Sequence, residues 1–172
     1  RLQMMQVQRR SDMRSRVPTG EDFDVTWIDI EEPDRPHTPG NIDGAGVYAQ
    51  GRLGGASTFT RLEGCWYGDG KVFFTSTNGG DARTGQVFCH DIREQTIRQV
   101  YQSPGADVLG YPDNVTLSPN GCVMICEDGG RVGHMLLGLD PAGKLFPFVR
   151  NNVILRGEHN GFQGDFRKAE WC

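Results

Sequence analysis

Three side chains in the sequence have the types and placement to hold a hard cation: Glu63, Asp113 and Asn114. Glu63 stands at the mouth of two apolar runs split by Gly68-Asp69-Gly70 in the stretch TRLEGCWYGDGKVFFTST, so a hairpin there carries one charged side chain at its edge. The later stretch DNVTLSPNGCVMICED repeats the arrangement, because Asn114 to Gly121 is the same seven-residue step as Glu63 to Gly70. Two carboxylates and an amide oxygen are hard donors, suited to Ca²⁺, Mg²⁺ or Mn²⁺ and poorly suited to zinc. Read locally, Pro112-Asp113-Asn114 is equally a turn in which Asp and Asn cap backbone donors. Glu127-Asp128-Gly129-Gly130, another acidic pair before glycines, reads as an ordinary turn.

Other chemistries find no support. His90, His134 and His159 share no metal spacing, and neither a Ser-His-Asp nor a Cys-His arrangement can be assembled from sequence proximity. The glycines between Gly51 and Gly55 precede neither a lysine nor a convincing helix, so there is no phosphate loop. The cysteines at 65, 89, 122, 126 and 172 form no CxxC pair, and Cys122 and Cys126 read as small buried thiols.

The elements that must position these residues are short strands. Val25–Ile30 alternates and is β-branched, and three prolines between Glu31 and Gly40 end it. A short helix is expected near Gly46–Arg52. After the hairpin at Glu63, strands at Thr84–His90 and Thr96–Gln102 complete a four-stranded unit near 61–102. Strands at Val115–Leu117, Cys122–Cys126, His134–Leu139 and Leu145–Val149 make a second unit, and a third begins near Phe166. Consecutive four-stranded units with a period near 50 are the pattern of an all-β β-propeller, which a jelly roll or sandwich does not reproduce. Inner strands of propeller blades converge on a central channel, so Glu63 and the Asp113-Asn114 pair are expected to meet there. Residues 1–20 read as a connector with a frayed helical turn at Leu2–Gln8, and residues 21–172 as a partial propeller domain.

Composition agrees with a loop-rich chain: 172 residues, 37% hydrophobic, 24 glycines and a formal charge of -4. Apolar runs such as Val123–Cys126 are far short of the roughly 20 residues that cross a bilayer. Five arginines against Asp12 give residues 1–16 a net of +4 within a total of -4, so the remainder carries -8 and presents no clustered basic face for nucleic acid. The arginine-rich start reads as a solvated, mobile segment. The chain opens at Arg1 and closes at Cys172, and reads as an internal fragment.

Several motifs in order resemble the bacterial PhoX-type alkaline phosphatases: FTRLEGCWYGDG from Phe59, VFFTSTNGG from Val72, Gly85-Gln86-Val87-Phe88, PDNVTLSPNG from Pro112, CEDGG from Cys126, the Asp-Pro-Ala-Gly turn at Asp140, and GDFRKAEW from Gly164. The resemblance runs from about Phe23 to Cys172. It implies a six-bladed propeller whose channel holds Ca²⁺ and, in the characterised phosphatases, an iron centre (Fe³⁺), acting on small-molecule phosphate monoesters after export to the periplasm or beyond. Carried over by motif, Glu63 and Glu170 resemble metal ligands, Asp113 and Asn114 match the Pro-Asp-Asn motif facing the channel, and Arg61 and Arg167 are candidates for holding phosphate. The family's Asn-Cys-x-Gly-Gly and Thr-Cys-Glu-Glu motifs are absent here.

The expectation is therefore part of a metal-dependent phosphatase, monomeric and with little turnover by itself. A calcium-dependent lactonase-like propeller also uses Glu and Asn around a central cation. A non-catalytic propeller in which a cation holds blades together is the third reading.

Overall fold

The computed structural model describes residues 1–36, 46–129 and 133–169. In chain order the elements are β1 (Gln3–Val7), β2 (Asp22–Asp29), α1 (Val47–Leu53), β3 (Leu62–Gly68), β4 (Lys71–Ser76), β5 (Gln86–Asp91), β6 (Thr96–Gln102), β7 (Pro112–Leu117), β8 (Val123–Glu127), β9 (Met135–Leu139), β10 (Leu145–Arg150), β11 (Ile154–His159) and β12 (Phe162–Asp165). The protein is all-β, with one short helix among the described residues. One sheet runs β1-β2-β6-β5-β4-β3, a second runs β10-β9-β8-β7, and β11 and β12 form a separate hairpin. Every strand pairing is antiparallel. Both four-stranded units expected from the sequence are present, as β3–β6 and β7–β10.

The hairpin turn between β3 and β4 follows from Asp69 and Gly70, whose φ angles of 52° and 76° give the doubly left-handed geometry that matches strand twist. In β5 the two-residue period sends neighbours to opposite faces, and both faces are covered. Val87 enters the cluster with Leu109, Val115, Ile125, Leu137 and Leu139 that joins the two sheets. Phe88 enters the cluster on the other side, with Val7, Met13, Val17, Val25 and Ile97. Phe59, Phe74 and Phe88 add ring contacts with centroids 5.3–5.7 Å apart.

Residues 1–20 depart from the expected connector. Leu2–Gln8 holds no helical turn; β1 pairs with β2, in register from Gln3 opposite Asp29 to Val7 opposite Val25. Met13 is fully buried. Gln99, itself buried, donates from Nε2 to the Val17 carbonyl at 2.7 Å. Three of the five arginines of this segment have partners: Arg14 pairs with Asp12, Arg1 with Asp29, and Arg10 lies over the Phe23 ring. The hairpin β11–β12 precedes Phe166, where the third unit was expected to begin. Its turn is Asn160-Gly161, with φ of 52° and 83°.

Candidate functional site

Glu63 and Asp113 sit at matching irregularities in the first strands of the two units. In the β3–β4 ladder, Leu62 faces Ser76 and Cys65 faces Phe74, so Glu63 and Gly64 together oppose Thr75 alone. In the β7–β8 ladder, Pro112 faces Glu127 and Val115 faces Ile125, so Asp113 and Asn114 together oppose Cys126. Each is a one-residue β-bulge, a device that breaks alternation and re-aims a side chain. The backbone before each bulge matches as well. Arg61 and Tyr111 both hold positive φ, 41° and 55°. The Arg61 carbonyl accepts from the Thr77 N–H at 2.9 Å, and the Tyr111 carbonyl accepts from the Asp128 N–H at 3.0 Å.

This register corrects the repeat read from the glycines. Aligning Gly70 with Gly121 pairs Glu63 with Asn114, whereas the ladders pair Glu63 with Asp113 and Gly64 with Asn114. The discrepancy lies in the hairpin loops, residues 69–70 after β3 and 118–122 after β7.

The two strand starts are pressed together. A Cβ on Gly64 would lie 2.4 Å from the Asp113 carbonyl oxygen and 2.7 Å from both Asn114 Cα and Val115 N, so only glycine allows this approach. Thr75 Oγ1 donates to the Asp113 carbonyl at 2.8 Å, and Thr77 Oγ1 donates to the Pro112 carbonyl at 3.0 Å.

Burial pushes the Asp113 carboxyl above the usual carboxylate range; the charges of Glu63 and Asp128 push the same way, and Arg61 opposes them. Arg61 Nη2 lies 3.5 Å from Glu63 Oε1, with both side chains partly exposed. Three carboxylates and one guanidinium therefore influence one another around the bulges, with negative charge in excess. Among the described residues, no group of three or more His, Cys, Asp and Glu side chains is gathered tightly enough to hold a metal ion. The donor chemistry of Glu63, Asp113 and Asn114 fits a hard cation in kind.

The remaining expected residues are distributed differently. Asn114 is exposed beside Asp113. Arg167 lies at the same end of the second sheet, its carbonyl accepting from the N–H groups of Gly133 and His134 at 3.0 Å. Its Nε and Nη2 form a fork on the Asp165 carboxylate at 2.9 and 2.6 Å, which holds Asp165 down at about 2. Glu170 lies outside the described residues. Glu127, expected in an ordinary turn, is 1% exposed; its carboxylate accepts from Gly110 N at 2.8 Å and Met135 N at 3.3 Å. His90 is buried, with Nδ1 2.9 Å from the Thr96 carbonyl and its ring edge-on to Trp27. Cys122 and Cys126 are half-buried rather than buried.

The family model for alkaline phosphatase PhoX matches residues 1–172. The chain belongs to the PhoX family. The match takes in residues 1–20, which the motifs did not reach, in keeping with β1 being a strand of the first sheet and Met13 lying in the core cluster. No curated protein and no solved structure matches the chain. Membership of the PhoX family supports phosphatase chemistry in general, and phosphate esters as the class of substrate. No helix among the described residues is long and apolar enough to cross a membrane.

Proposed function

We propose that this PhoX-family chain contributes part of a Ca²⁺-dependent site that hydrolyses phosphate monoesters, with Glu63 and Asp113 as anionic ligands and Asn114 as a neutral oxygen donor. The observation that carries the reading is the pair of matching bulges, which sets a carboxylate on each of two packed strand starts, near enough for the charge of Glu63 to act on Asp113. Burial and the charge of Glu63 disfavour the ionised Asp113 carboxylate, and a hard cation between the strands offsets that cost. When bound, such a cation supplies positive charge for the phosphoryl oxygens and lowers the barrier to attack by water. Ferric iron, the second metal implied by the resemblance, is hard as well and suits the same donors.

Arg61 has two roles in this reading: it orients Glu63, and its partly exposed guanidinium offers N–H donors to a phosphate dianion. Arg167 would have to exchange Asp165 for phosphate before it could help. Glu170 is proposed as a further ligand on its motif alone. The two packed units fit a propeller of six blades, and a periplasmic or secreted location is proposed by analogy with the family.

The test is p-nitrophenyl phosphate hydrolysis by the full-length gene product, stripped with chelator and restored with Ca²⁺ or Fe³⁺ separately. Activity that returns with Ca²⁺ and drops about 100-fold or more in Glu63→Gln, Asp113→Asn and Glu170→Gln supports the reading. Full activity after stripping, or in these variants, contradicts it.

A further inference from the structure

We propose that Thr75 and Thr77 are positioning residues that set the separation of Glu63 and Asp113. The inference rests on the shared cation site described above and assigns what holds its two halves in register. Thr75 is the single β4 residue opposite the Glu63–Gly64 bulge, and its hydroxyl donates at 2.8 Å to the carbonyl of Asp113 inside the other bulge. One residue therefore stands opposite one bulge in the ladder and is bonded through its side chain to the other. Two residues along, Thr77 ties the residues that precede the bulges: its N–H donates to the Arg61 carbonyl at 2.9 Å and its hydroxyl donates to the Pro112 carbonyl at 3.0 Å.

The physical need for the Thr75 bond lies in the bulge itself. A bulge leaves backbone groups of its extra residue outside the regular ladder, and a buried carbonyl needs another donor. Thr75 is 0% and Thr77 2% exposed, so water does not compete. A β-branched side chain has few χ1 states, so each hydroxyl acts as a short rigid tie. With Gly64 allowing backbone contact on the other side, the carboxylates sit on two strands locked in both spacing and register.

The test compares Thr75→Val and Thr77→Val, which keep shape and lose the hydroxyl, with Thr75→Ser and Thr77→Ser, which keep it. Calorimetric titration with Ca²⁺ alone is expected to show about 10-fold or more weaker binding in the valine variants, as for other residues that orient metal ligands, and recovery in the serine variants. A second measurement needs no metal: melting temperatures of Glu63→Gln, Asp113→Asn and the double variant, in chelator, report how strongly the two charges feel each other. The effects of the single changes should be non-additive in the wild-type background and closer to additive with Thr75→Val. If Thr75→Val does not fold, Thr77→Val carries both comparisons.

Ca²⁺ affinity unchanged in folded valine variants overturns the proposal, as does undiminished non-additivity. If the wild type binds no Ca²⁺, the cation-site reading falls on its own, and the metal-free cycle alone decides whether the threonines set the spacing.

Discussion

Glu63 and Asp113 are structural equivalents: each is the first residue of a one-residue bulge, one position beyond a residue paired in the ladder and two beyond a residue with positive φ. The equivalence places carboxylates, not a carboxylate and an amide, at corresponding points of two packed sheets.

Gly64→Ala is expected to part the two strand starts. The added methyl meets backbone atoms of Asp113, Asn114 and Val115 at 2.4–2.7 Å, and backbone cannot swing aside. A loss of about 1–3 kcal/mol in denaturant unfolding is the expected result. Gly157→Ala, where an added Cβ meets nothing within 4 Å, is the control and should stay within about 0.5 kcal/mol of wild type.

Glu127 and Glu63 should separate structural from ligand carboxylates. Glu127→Gln places an amide where a buried carboxylate accepts two backbone N–H groups, and should cost about 1–3 kcal/mol. Its Ca²⁺ affinity, measured on folded protein, should be unchanged. Glu63→Gln should show the reverse pattern.

Asp113 predicts a pH dependence of known sign. Its folded-state pKa is raised, chiefly by burial and then by Glu63 and Asp128, so ionisation disfavours the folded state as pH rises out of the ordinary carboxylate range. Asp113→Asn should therefore melt higher than wild type at neutral pH without metal. The difference should vanish at pH values below the ordinary carboxylate range, where both states are protonated. A variant that melts lower than wild type at neutral pH would show that the carboxylate is stabilised by partners instead.

Much of the fold was legible because hairpins announce themselves locally. Asp69-Gly70 with flanking apolar alternation marked β3–β4, and Thr96–Gln102 is β6 to the residue. What escaped depends on distant partners. Gln3–Val7 is a strand only because β2 lies beside it, and nothing in its own pattern separates it from a helical turn. Asn160-Gly161 is a turn signal of the same kind, and it closes β11–β12, a hairpin outside the expected units. The bulges were invisible because an extra residue in a strand and an extra residue in a loop look alike in sequence, which is why Glu63 was aligned with Asn114. Glu127 was read as a turn because its donors, Gly110 and Met135, come from other elements.

Met13→Ala tests whether the first 20 residues belong to the folded unit. Met13 is 0% exposed and packs in the cluster with Phe88 and Ile97, so its truncation should cost about 2–5 kcal/mol in denaturant unfolding. A flexible connector would leave stability within about 0.5 kcal/mol of wild type.

The most direct test of the shared site is Ca²⁺ titration of the chelator-treated chain beside Glu63→Gln and Asp113→Asn, followed by calorimetry. One site in the wild type, weakened at least about 10-fold by either substitution while the variants stay folded, is the predicted result. Equal Ca²⁺ affinity in all three proteins would contradict it, and would leave the paired bulges as a feature of the fold alone.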